Sequence, residues 1–200
     1  MAIRTANNQS LTEITAVPSA VALGGMVLLE TQTASSSATL DFTSNIDSTY
    51  KEYVFKFYDI HPSSNDGIFS FQADTGTNTS YNQTITSTFI AAYHNEGDTD
   101  TALGYQASSD LAQATTFHRL IESGNGNDES AAGTLHVFDH SSTTFVKHFI
   151  GSGQCYQRSD YSQAHYYAGY FNTATALTRF QFKMSTGNID AGTIKMYGVT

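Results

Sequence analysis

Between Thr143 and Phe171 the chain reads TTFVKHFIGSGQCYQRSDYSQAHYYAGYF. β-Branched and aromatic residues recur there at period two, which suits strands and not helices. In the first run Phe145, Lys147 and Phe149 fall on one face and Val146, His148 and Ile150 on the other. The second run carries Tyr166, Tyr167, Tyr170 and Phe171 almost without interruption. Between the runs lies a polar connection, whose Gly151-Ser152-Gly153 reads as a turn. Five of the 12 tyrosines fall in this stretch (Tyr156, Tyr161, Tyr166, Tyr167, Tyr170), together with the single cysteine, Cys155.

The same periodicity recurs from Met26 onward. Strands are expected at Val27–Thr33, Ala38–Phe42, Tyr53–Ile60, Ile68–Phe71, Thr84–Tyr93, Thr116–Ile121, Gly133–Phe138, Leu177–Met184 and Gly192–Tyr197. Pro62 ends the third, since proline cannot donate to a ladder, and Asp66-Gly67 supplies a turn. Phe55, Phe57, Leu135, Val137, Phe180 and Phe182 are the expected core, with Lys56, Gln181 and Lys183 on wet faces. Asn95–Gln113 reads either as a long loop or as a loop with one helical turn near Ser109–Ala114. Clean alternation with no room for βαβ crossovers predicts an all-β, antiparallel, jelly-roll-like β-sandwich spanning residues 26–200. No internal repeat suggests a propeller or β-helix.

Residues 1–25 differ in composition and end at Gly24-Gly25. Leu11, Ile14 and Val17 are three apart, compatible with a short helical turn over Thr12–Ala16 that would be marginal alone. Their apolar content exceeds that of a disordered tail, so the segment is expected to be an extended arm ordered by a neighbouring subunit.

The formal net charge of −9 argues against a phosphate-backbone partner, and the nine basic residues do not cluster. One cysteine makes no intrachain bridge and is expected as a free thiol in or beside a strand. No apolar run reaches the ~18 residues of a membrane helix. The first ten residues lack the apolar stretch of a secretion signal, which predicts synthesis in a cytoplasm.

Motifs for chemistry are weak. Gly151-Ser152-Gly153 lacks the spacing of a nucleophile elbow, and Gly124-Asn125-Gly126 lacks the third glycine of a dinucleotide loop. Glu96, Asp98 and Asp100 alternate like calcium ligands, but Thr101 and Ala107 stand where that loop needs Gly and Glu. His136 and His140 are four apart on a strand that gives way to a turn, so they share no face for a metal. The strand acids Glu30, Asp41 and Asp59 show no partner for glycoside hydrolysis. No catalytic residue, metal or cofactor is expected.

Two stretches carry a resemblance. AIRTANNQSLTEITAVPSA and GGMVLLETQTASSSATLDFTS, leading into IDSTYKEYVFKFYDIHP, resemble structural proteins of tailed bacteriophages, marine and cyanobacterial ones especially. The final TRFQFKMSTGNIDAGTIKMYGVT resembles their last hairpin, with its glycine-bearing turn and terminal Tyr-Gly strand. The resemblance covers both ends of the chain and leaves residues from about Thr75 to Asp160 unmatched. It implies a virion component: a compact tail, neck or vertex fibre, or a capsid-decorating protein. Such a protein would be a homotrimer, docked to other virion proteins (capsid, portal, neck or tail) by the arm at Leu11, Ile14 and Val17. Its outward sandwich could contact host-surface glycan through Tyr156, Tyr161 and Tyr166. The alternative expectations are a carbohydrate-binding module with no virion role and, less favoured, a glycan-degrading enzyme.

Overall fold

The computed structural model describes residues 25–200; the arm and its residues Leu11, Ile14 and Val17 lie outside the described residues. Twelve strands form two antiparallel sheets. They are β1 (Met26–Thr33), β2 (Leu40–Phe42), β3 (Glu52–Pro62), β4 (Gly67–Thr75), β5 (Ile85–Asn95) and β6 (Thr101–Tyr105), then β7 (His118–Ser123), β8 (Ala131–Phe138), β9 (Lys147–Gln157), β10 (Tyr161–Phe171), β11 (Leu177–Met184) and β12 (Ile189–Val199). The larger sheet has the order β1-β12-β3-β8-β9-β10-β5-β6 and the smaller β2-β11-β4-β7. The chain is an all-β sandwich.

The core lies where the alternation placed it. Phe55, Phe57, Leu135, Val137, Phe180 and Phe182 are all buried. Phe42, Phe55, Phe57, Phe69 and Phe71 surround Phe182, with ring centroids 5.2 to 6.2 Å from it. Edge-on and offset contacts of this kind add to the area each ring removes from water. Cys155 is a free, buried thiol on β9, as expected, and its Sγ lies 2.7 Å from the Glu122 carbonyl. Burial pushes that thiol up to about 12.

Three local expectations need correction. Gly151-Ser152-Gly153 is not a turn: β9 runs through it, and the connection to β10 shrinks to residues 158–160. Glycine is there for close packing. A Cβ on Gly151 would overlap the Tyr167 ring, and one on Gly153 the Ile121 side chain. Second, Phe145 does not share the dry face with Lys147 and Phe149. It precedes β9 and is 69% exposed. Lys147 takes the inward place, its ammonium donating to the carbonyls of Phe145 at 2.8 Å and Thr173 at 3.0 Å.

Third, Asn95–Gln113 is a loop only in part. It contains β6, hairpinned to β5 by a turn in which the Asn95 carboxamide accepts the N–H groups of Thr99 and Asp100, both at 2.9 Å. After a turn closed by the Ser109 N–H on the Gln106 carbonyl, the chain runs along the edge of β5, where Ile85 and Ala114 exchange backbone hydrogen bonds and the Ser87 N–H donates to the Leu111 carbonyl. Tertiary pairing supplied the ladder that the short, polar sequence did not announce.

Candidate functional site

On the central strands of the larger sheet, side chains alternate between the core and the opposite, outward face. Register puts Ile90, Tyr166, Ser152 and Thr134 in one transverse row of that face. Thr88, Ala168, Ile150 and His136 form the next. Ala168 lies two residues from both Tyr166 and Tyr170, so a small side chain separates two large ones along β10.

Two shallow depressions result, sharing Thr88, Ile150 and Ala168. The one bordered by Phe138, His148 and Tyr170 has a volume of ≈ 470 Å³, and the one bordered by Ile90, His136 and Tyr166 ≈ 360 Å³. Ile150 is 54% exposed and Tyr166 56%. Beyond them, Leu103 (74% exposed) and Tyr105 extend the apolar character to the β6 edge.

Polar side chains (Thr88, Thr134, Ser152, His136 and His148) interleave with the apolar ones on this face, and the two histidines are partly engaged. His136 Nδ1 lies 2.6 Å from Glu52 Oε1, and its ring stacks on Phe138 with centroids 6.2 Å apart. The His148 ring meets Tyr170 edge-on at 6.2 Å. Such a surface can bury area against another protein or stack on a flat ligand.

The three tyrosines singled out from the sequence do not converge. Tyr166 lies in mid-sheet beside the second depression. Tyr156 and Tyr161 flank the β9–β10 turn, where Tyr156 donates to Asp160 at 2.8 Å and Tyr161 to Asp100 at 2.9 Å. Both hydroxyls are pushed up, chiefly by those carboxylates, Tyr156 to about 12.

The acidic trio is likewise divided. Asp98 lies 3.0 Å from His94 Nε2, and Asp100 serves Tyr161. Among the described residues no three His, Cys, Asp or Glu side chains gather as a metal site. Glu30 accepts from Gln32 and Ser44, and Asp41 from Thr39 and Gln181, so these acids are held by neutral donors. Asp59 sits in the irregular pairing of β3 with β8, at φ 51°.

Sequence reasoning placed Ile150 opposite Phe149 but did not mark the outward face as a surface. The signal was present: β5 and β9 carry apolar residues at both parities, as in Phe89-Ile90 and Phe149-Ile150, where a strand wet on one side would alternate. Compared with known proteins, the chain matches no family model, no curated protein and no solved structure.

Proposed function

We propose that this chain is a non-enzymatic virion protein of a tailed bacteriophage, a compact tail, neck or vertex fibre or a capsid-decorating protein. In this reading it associates as a homotrimer through the outward face of the larger sheet, and the arm docks it to the particle. The observation that carries the assembly part is the run of exposed apolar side chains on one face: Ile90, Leu103, Tyr105, Phe138, Ile150 and Tyr166. Contiguous apolar surface of this kind is uncommon on a monomer and marks a face that a partner covers.

The virion role is supported by the resemblance of both chain ends to phage structural proteins. The reading takes β1, β12, β3 and β8 with β2, β11, β4 and β7 as the eight strands of a jelly roll. The hairpins β5–β6 and β9–β10 then widen one of its sheets, and they carry most of the apolar face. A purpose-built extension of that kind fits an assembly surface.

The test is light scattering on the purified full chain and on Ile150→Asp. A trimer that dissociates in the variant, with unchanged circular dichroism, supports the reading. A wild-type monomer at micromolar concentration overturns the assembly part. The virion part is tested by locating the chain in a particle reconstruction, and a chain absent from purified particles refutes it.

A further inference from the structure

Another cavity lies away from the apolar face. The strand β7 borders the smaller sheet and packs on β9, which leaves the inner side of β5 and β10 extending past it. In that overhang Phe89, Ala91, Tyr93, Gln163 and His165 face Arg119 and Glu122 of β7, and the segment after β6 closes the cleft with Gln106, Ser108 and Ser109. Its volume is ≈ 150 Å³.

A β-bulge builds this arrangement. Ser70 pairs with Arg119 and Phe69 with Ile121, so Leu120 is an extra residue in β7. In a regular strand, residues 119 and 122 would point to opposite faces. The bulge turns both to one side, where they form an ion pair.

The polar groups around the cleft are incompletely satisfied. His165 is 1% exposed and its Nδ1 has no hydrogen-bond partner. Arg119 Nε is also buried without one. Buried polar atoms ordinarily find partners, and two orphans at one cleft ask for a ligand with hydrogen-bonding groups.

The lining selects the class. Glu122 neutralises Arg119, and burial depresses His165 to about 4, so the imidazole is uncharged at neutral pH. An anion finds no net positive charge here. The glutamine amides, serine hydroxyls and neutral imidazole each offer both donors and acceptors, as vicinal hydroxyls require. Tyr93 supplies ring surface, while Phe89 is 1% exposed and floors the cleft beneath the Arg119 guanidinium, 5.7 Å from its ring centroid.

We infer that this cleft is a binding site for one neutral, polyhydroxylated ring, a single sugar residue held by Arg119, Glu122, Gln163 and His165 against Tyr93. It is independent of the apolar face and of the virion role proposed above. A terminal residue of a larger glycan and a free monosaccharide share this chemistry.

The experiment is an NMR titration of the full chain with galactose, glucose, mannose and N-acetylglucosamine, followed on backbone amides. At least one sugar shifts the amides of Ala91, Arg119 and Gln163, with a Kd on the order of 1 mM. Glu122→Gln and Gln163→Leu each weaken binding about tenfold, while Ile150→Asp on the apolar face leaves it unchanged. Stronger binding of a reducing-end-linked oligosaccharide than of its terminal sugar identifies the glycan source and supports the site; equal binding identifies the free sugar and also supports it. Four things would overturn the inference: no shift with any of the four sugars, sulfate or phosphate binding in their place, wild-type affinity in Glu122→Gln, or loss of binding in Ile150→Asp.

Discussion

Acidification below pH ~6.5 should destabilise this protein steeply, because three histidines are buried uncharged. His118 is the extreme case. It is fully buried on β7, with ring centroids 5.1 Å from Phe149, 5.7 Å from Phe71 and Tyr167 and 6.4 Å from Phe89. Neither ring nitrogen has a hydrogen-bond partner, and burial pushes its pKa down to about 3. Burial also takes His140 and His165 down to about 4. In the unfolded chain each titrates near 6.5.

The sign follows from linkage. Above pH ~6.5 both states are neutral at these sites and stability is unaffected. Below it the unfolded chain takes up protons that the native core refuses, so stability falls with pH until the native pKa is reached. At about pH 5 each histidine costs about 2 kcal/mol, and the three together about 6 kcal/mol. A domain holds only ~5–15 kcal/mol, so a large share of the stability is expected to be gone near pH 5.

Urea unfolding at fixed protein concentration, followed by near-ultraviolet circular dichroism of the tyrosines between about pH 5 and 7.5, measures the loss. His118→Leu separates this cause from general acid effects: it should recover about 2 kcal/mol at pH 5 relative to its own change at pH 7.5. Equal wild-type stability at both pH values, or an unchanged pH slope in the variant, would refute the reasoning.

Three further outcomes can be measured by denaturant or thermal unfolding. Phe182→Ala should cost ~3–5 kcal/mol, since the ring is fully buried among five other phenylalanines; an unchanged midpoint would place it outside the core. Asp74→Ala should cost about 3 kcal/mol and speed proteolysis between β4 and β5, because this buried carboxylate accepts from the Thr75 and Tyr81 N–H groups and the Asn78 and Gln83 amides. Gly153→Val should cost at least ~1–3 kcal/mol by driving a side chain into Ile121; wild-type stability would mean that the glycine is dispensable.

The sequence determined the fold class and most of the dry faces, because both rest on local periodicity. Phe180, Phe182 and Met184 alternate with Gln181 and Lys183, and β11 runs from Leu177 to Met184 as that pattern requires. Tertiary structure decided what the pattern leaves degenerate. Gly151 and Gly153 read as turn residues until Tyr167 and Ile121 occupy the space over them. Thr101–Tyr105 is too short to declare itself a strand and becomes one only beside β5. The apolar outward face needed the registers of β5, β8, β9 and β10 together, since each strand contributes only one or two of its side chains. The cleft was the least legible. Arg119, Glu122, Gln163 and His165 come from two strands in different sheets, and a one-residue bulge in β7, which no sequence period announces, turns the first two toward the others. Local periodicity dictates which way a side chain points along its own strand; only the pairing of distant strands dictates what it meets.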